Sequence, residues 1–130
     1  MSDELASARD PQRLLDPAVL LTSCDGDAEV LVQVIAALRT QLPKELAAAR
    51  ACLVRGDASA LRETAHRLQG MISTASPAIA TVASELEDEA ASNQLEPSAA
   101  LLARLEAMIT TLLANLAEIS IDELLGARRG

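Results

Sequence analysis

The chain has 130 residues, a length that fits one compact domain built on one hydrophobic core. Half of it is hydrophobic, yet Phe, Tyr and Trp are absent, so the core must come from Leu, Ala, Val, Ile and Met, a composition that favours helices over strands and argues against wholesale disorder. Nineteen acidic against eleven basic residues leave a formal net charge of −8, which repels nucleic-acid phosphates and anionic lipid headgroups, and no aromatic ring is available to stack on bases.

Proline and glycine punctuate the sequence and set the expected element boundaries. A helical turn around Leu5 to Ala8 precedes a short helix from Pro17 to Ser23, for which Asp16-Pro17 supplies an N-cap and a first helical position. After a turn through Asp25-Gly26-Asp27, the spacing of Val30, Val34, Leu38, Leu42, Leu46 and Leu53 predicts an amphipathic helix over about 28–54. Pro43 lies inside it and is expected to kink or divide it, because proline removes one backbone hydrogen bond and crowds the preceding turn. Gly56-Asp57 ends that helix and caps the next, over about 58–75, with Leu61, Ala65, Leu68, Ile72 and Ala75 on one stripe. Ser76-Pro77 opens a helix over about 77–92 that carries Ile79, Val82, Ala83, Leu86 and Ala90. A loop from Ser92 to Glu96 leads to the last helix, over about 98–119, with Leu101, Leu105, Met108, Leu112, Leu116 and Ile119 inward, and Gly126 falls in a turn beyond it. Long helices joined by short loops pack as antiparallel neighbours. The expected fold is therefore all-α: an antiparallel up-and-down four-helix bundle over 14–120 with a short extra N-terminal helix, a partly helical or mobile extension over 1–13 and a C-terminal tail over 121–130.

No apolar run approaches the roughly 18–20 residues that span a bilayer. The start, Met1-Ser2-Asp3-Glu4, has neither the basic residues nor the apolar stretch of a signal peptide, so the cytoplasm is the expected compartment. Cys24 and Cys52 are too few for a disulfide framework and too far apart for a CxxC motif, and read as small reduced residues.

His66 is the single histidine of the chain. At 100° per residue it points about 140° away from the stripe that runs from Leu61 to Ala75, and so toward solvent. One helical turn away on either side lie Arg62, Gln69 and Gly70, with Ser73 a further turn on. Gly70 is anomalous, since a glycine inside a helix costs about 1 kcal/mol relative to alanine and this one caps nothing. The space it leaves beside an exposed imidazole admits another molecule's backbone or a bulky group. The plain alternative is a polar residue on a wet helix face beside a tolerated glycine.

The heptapeptide Thr64-Ala65-His66-Arg67-Leu68-Gln69-Gly70 resembles the phosphoacceptor motif of histidine-containing phosphotransfer (HPt) domains, an Ala-His-x-Leu-Lys-Gly pattern on a bundle helix. The likeness extends over about residues 14–119, through the proline-interrupted helix, Gly56-Asp57 and Ser84-Glu85-Leu86-Glu87. It implies a phosphorelay carrier in which His66 takes a phosphoryl group from a receiver aspartyl phosphate and passes it to another receiver aspartate. Such a protein is not an enzyme in the turnover sense. The implied partners are receiver domains of response regulators or hybrid histidine kinases, and the Mg²⁺ and lysine of the reaction belong to the receiver, so no cofactor is expected here. A neutral imidazole nitrogen is already nucleophilic and needs no general base. Gln69 stands where the family usually has a lysine that stabilises the phosphorylated histidine; an amide can donate a hydrogen bond to a phosphoryl oxygen but brings no charge. Arg62, on the same face, is the expected substitute, with Arg67 less well directed. Ser76-Pro77 is a second departure, at a place where the family often has glycine.

Partner docking is assigned to Gly70, Arg67, Met71, Ser73 and Ala78. The run Glu85, Glu87, Asp88, Glu89 reads as a solvated helix face and not as a metal site, Met71 and Met108 as gap fillers, and Arg128 and Arg129 as part of a frayed tail. A monomer is expected. Two other readings stay open: an HPt-like adaptor that binds a kinase or receiver without carrying phosphate, and a plain helical bundle that assembles with another protein.

Overall fold

The computed structural model describes residues 14–129, the backbone alone beyond residue 125; the helical turn expected around Leu5 to Ala8 lies outside the described residues. Among the described residues every regular element is a helix: α1 Pro17–Ser23, α2 Ala28–Arg55, α3 Ala58–Ile72, α4 Pro77–Ala91, α5 Leu95–Glu118 and α6 Ile121–Arg129. Helices α2 to α5 pack each on the next, and α5 closes back on α2, which makes the four-helix bundle.

Local chemistry explains the boundaries. Asp16, Asp27, Asp57 and Ser76 each accept a backbone N–H of the helix they precede, and Pro17 and Pro77 occupy first-turn positions where a missing N–H costs nothing. Gly56 ends α2 with φ +70°, the left-handed conformation that a glycine adopts without strain. Pro43 neither ends nor divides α2, which is continuous from Ala28 to Arg55. Leu38 and Leu42 before it and Ala49 and Cys52 after it are buried against the neighbouring helices, and that packing holds both halves in one element despite the lost bond. Helix α5 begins three residues earlier than expected, at Leu95, with Pro97 absorbed into its first turn. Helix α3 stops at Ile72, and residues 73–75 form the turn to α4.

The stripes predicted for α3 and α4 are the buried ones, with Leu61, Ala65, Leu68, Ile72, Ile79, Ala83 and Leu86 fully enclosed. The other two long helices are rotated slightly from expectation. Leu31 is buried where Val30 was expected and Val30 is exposed; Leu102 and Ile109 are buried beside half-buried Leu101 and Met108. Helix α5 also corrects the expectation that no segment is long and apolar enough to cross a bilayer, since one 18-residue window has a mean hydropathy of 1.4. Alanines raise that average, and the large side chains Leu102, Leu105, Ile109, Leu112 and Leu116 are spent on the bundle core.

The C-terminal segment is not a frayed tail: Ile121–Arg129 is helical through Gly126, packs on α1 and α2, and buries Leu124 completely. At the same end Asn115 Oδ1 accepts the N–H groups of Leu14 and Leu15, and Asp16 N–H donates to the Ala75 carbonyl at 2.8 Å. These bonds tie the chain entering α1 to α5 and to the turn between α3 and α4.

Candidate functional site

With Leu61, Ala65, Leu68 and Ile72 inward, helix α3 turns His66 outward, and 70% of its side chain is exposed. Its ring lies beside α4. Nδ1 is 3.2 Å from Glu87 Oε2 and 3.3 Å from Oε1. An ionised carboxylate only accepts, so a hydrogen bond between the two requires the tautomer with the proton on Nδ1. The other nitrogen, Nε2, then presents its lone pair away from Glu87. Glu87 is the more enclosed partner, 24% exposed, because Leu86 and Ala90 beside it are drawn into the core and hold α4 close to α3.

Arg62, Glu63, His66, Arg67 and Glu87 line one shallow depression. Within it the two arginines differ. Arg67 Nε donates to Glu45 Oε2 of α2 at 2.9 Å, and its Nη2 donates to Thr64 Oγ1 at 3.2 Å, so its charge is committed to the neighbouring helix. Arg62 is exposed and has no ion pair or hydrogen bond from its side chain among the described residues. Gln69, half-buried, turns away from this depression and lines an adjoining groove with Ser73 along α4. At Gly70 an added Cβ would meet nothing within 4 Å, so nothing inside the chain requires a glycine there. Met71 is half-buried and packs against the core. Ala78 is exposed in the first turn of α4, nine residues and about 13 Å of helix rise from Glu87.

The sequence model of the Hpt domain family matches residues 33–115, well over half of the chain. The chain belongs to the Hpt domain family. Neither the curated proteins nor the solved structures compared with it gave a match. The matched span takes in α3 and α4 whole, and with them His66, Glu87 and both arginines. An Hpt domain is a histidine phosphotransfer module of phosphorelays, a carrier rather than a turnover enzyme.

In this Hpt domain the sequence reading missed one contact of the histidine. Glu87, expected on a solvated face with Glu85, Asp88 and Glu89, is the member of that run that reaches His66. Its position directly after buried Leu86, at the rim of the inward stripe, is the one signal in the sequence. The register that sets residue 87 opposite residue 66 comes from the α3–α4 packing. Glu45, the partner of Arg67, went unnoticed for the same reason. Among the described residues no group of three His, Cys, Asp or Glu side chains is placed to hold a metal ion. Cys24 and Cys52 are free and buried; burial, and after it the Asp27 carboxylate, raises the Cys24 thiol above its ordinary range.

Proposed function

We propose that the protein is a phosphorelay intermediate in which His66 Nε2 accepts a phosphoryl group from a receiver aspartyl phosphate and delivers it to another receiver aspartate. The reading rests on an exposed histidine whose Nδ1 lies within hydrogen-bond distance of Glu87, on the family's bundle scaffold. The Nε2 lone pair forms the N–P bond as the P–O bond to the receiver carboxylate breaks, and that oxygen keeps the electron pair. Positive charge develops on the ring during attack and is offset by the Glu87 carboxylate across the Nδ1–H bond. Return transfer runs the same path backward, and the proton kept on Nδ1 makes the imidazole a better leaving group. Phosphoryl transfer needs positioning and charge compensation more than covalent assistance, so a carrier with one nucleophile suffices when the receiver brings the Mg²⁺.

Arg62 is the cation on the phosphoryl side of the site. Its side chain has room to swing toward the group on Nε2, whereas Arg67 would first have to leave Glu45. Gly70 keeps the approach to the ring open for the receiver backbone. The protein acts in this reading as a cytoplasmic monomer.

The test is incubation with phosphorylated receiver domains and Mg²⁺, followed by assay for an acid-labile, base-stable phosphate. Label that disappears in His66→Gln supports the carrier. A neutral residue at position 69 favours a second reading, an adaptor that binds receivers without carrying phosphate. Binding of receivers without any label on His66 would replace the first reading by the second.

A further inference from the structure

His66 and Arg67 are successive residues of α3, so their side chains leave the helix about 100° apart, His66 toward α4 and Arg67 toward α2. Two acceptors hold Arg67 there. Its Nε donates to Glu45 Oε2 at 2.9 Å, and its Nη2 donates to Thr64 Oγ1 at 3.2 Å. Thr64 is a buried polar residue, 2% exposed, whose hydroxyl donates to the Ala60 carbonyl at 2.9 Å, so its oxygen offers a lone pair to the guanidinium. Glu45 stands between buried Leu42 and Ala49 on α2, which packs on α3. It is the enclosed member of the ion pair, its side chain 20% exposed against 53% for Arg67. The carboxylate is therefore the fixed anchor and the cation is the part that can move. Arg67 also lines the depression that contains His66, so a guanidinium released from Glu45 has the phosphoryl position within its swing.

We propose that Glu45 is a positioning residue that sets the lifetime of phospho-His66 by holding Arg67 away from the phosphoryl group. The proposal rests on the phosphocarrier reading and adds to it a control on how long the group is kept. A guanidinium paired with the phosphoryl oxygens stabilises the phosphohistidine itself, which slows every route by which the group leaves. Loss to water is the simplest of these: a P–O bond forms, the N–P bond breaks with its electron pair returning to Nε2, and the protons of the water pass to phosphate and solvent. With Arg67 clamped by Glu45 and Thr64, Arg62 is the one arginine of the depression left to offset the phosphoryl charge. The carrier then holds its group loosely enough to hand it on. Glu45 does this without touching His66, through the cation next to it in the chain.

The test compares the full chain with Glu45→Ala, Arg67→Ala and the double variant. Each is labelled on His66 with phosphoramidate, a small donor that needs no docking and loses ammonia as the N–P bond to the ring forms, and the decay of the label is followed after the donor is removed. Glu45→Ala is expected to lengthen the lifetime about two- to fivefold, the range that the strength of a part-exposed ion pair supports. The double variant is expected to return to the lifetime of Arg67→Ala. A purely structural role for Glu45 does not produce this pattern, since a loosened bundle lowers Tm without lengthening the lifetime through Arg67. An unchanged or shorter lifetime in Glu45→Ala would overturn the proposal and leave the carrier reading standing. A longer lifetime that persists in the double variant would also overturn it, because the carboxylate would then act on the phosphoryl group directly and not through Arg67. A wild type that takes label from neither phosphoramidate nor any receiver would overturn the carrier reading, and this inference with it.

Discussion

Replacing Glu87 by alanine removes the carboxylate that faces His66 Nδ1 at 3.2 Å. Two unit charges at that separation attract by roughly 1.3 kcal/mol in bulk water and by about four times as much at an effective dielectric of 20. With 70% of the imidazole side chain exposed, the high-dielectric limit is the relevant one, and solvent competition leaves about 0.5–1 kcal/mol. If that energy is realised as the ring becomes cationic in the transition state, Glu87→Ala slows phosphoryl transfer about two- to fivefold. Glu87→Gln keeps an acceptor for the Nδ1 proton and loses the charge, so it falls between alanine and wild type. Two measurements check this. Nitrogen chemical shifts of the ring at fixed pH report the tautomer, which is Nδ1–H in the wild type and shifts toward Nε2–H in Glu87→Ala. Single-turnover transfer from phosphoramidate gives the rate without partner docking. An alanine variant with unchanged tautomer and unchanged rate would refute the assignment of Glu87 as a positioning residue.

Three further outcomes are expected. Arg62→Ala shortens the lifetime of phospho-His66 while Arg67→Ala, whose parent arginine is held by Glu45, changes it less; acid-quench time courses compare them, and equal lifetimes in all three proteins would remove Arg62 from the site. Gly70→Ala raises stability by up to about 1 kcal/mol, because the added Cβ meets nothing within 4 Å and alanine is the better helix former, and calorimetry reads this as a rise of a few degrees in Tm. The same variant slows transfer to receivers if a partner backbone approaches there, so higher stability with undiminished transfer would leave the glycine without a role in docking. Cys24 is only 2% exposed and its thiol is raised first by burial and then by Asp27, so thiol reagents label it slowly in the native chain and quickly in denaturant. Because the folded chain holds this proton more tightly, the associated stability is complete below the unfolded thiol pKa and is lost as pH rises through the folded one. Denaturant midpoints measured on the alkaline side should therefore decline less in Cys24→Ala than in the wild type.

The helical content and the outward placement of His66 were legible in the sequence because both are local properties. Asp16, Asp57 and Ser76 cap their helices through their own backbone neighbours, and the stripe Leu61, Ala65, Leu68, Ile72 recurs at the period of one helix, which by itself turns His66 outward. Periodicity was less informative in α2 and α5, where apolar residues such as Val30 and Leu101 sit next to better-buried neighbours and only the facing helices select the inward edge. The continuity of α2 through Pro43, the docking of Leu124 and the pairs His66–Glu87 and Arg67–Glu45 belong to the tertiary structure. Each joins residues that lie on different elements or depends on packing against another helix. One-dimensional spacing defines which way a side chain faces on its own helix, whereas the register between helices is set by how their buried faces interlock. The sequence by itself therefore determined that this chain presents a histidine, and the packing of α4 on α3 decided which of its two nitrogens faces the Glu87 carboxylate.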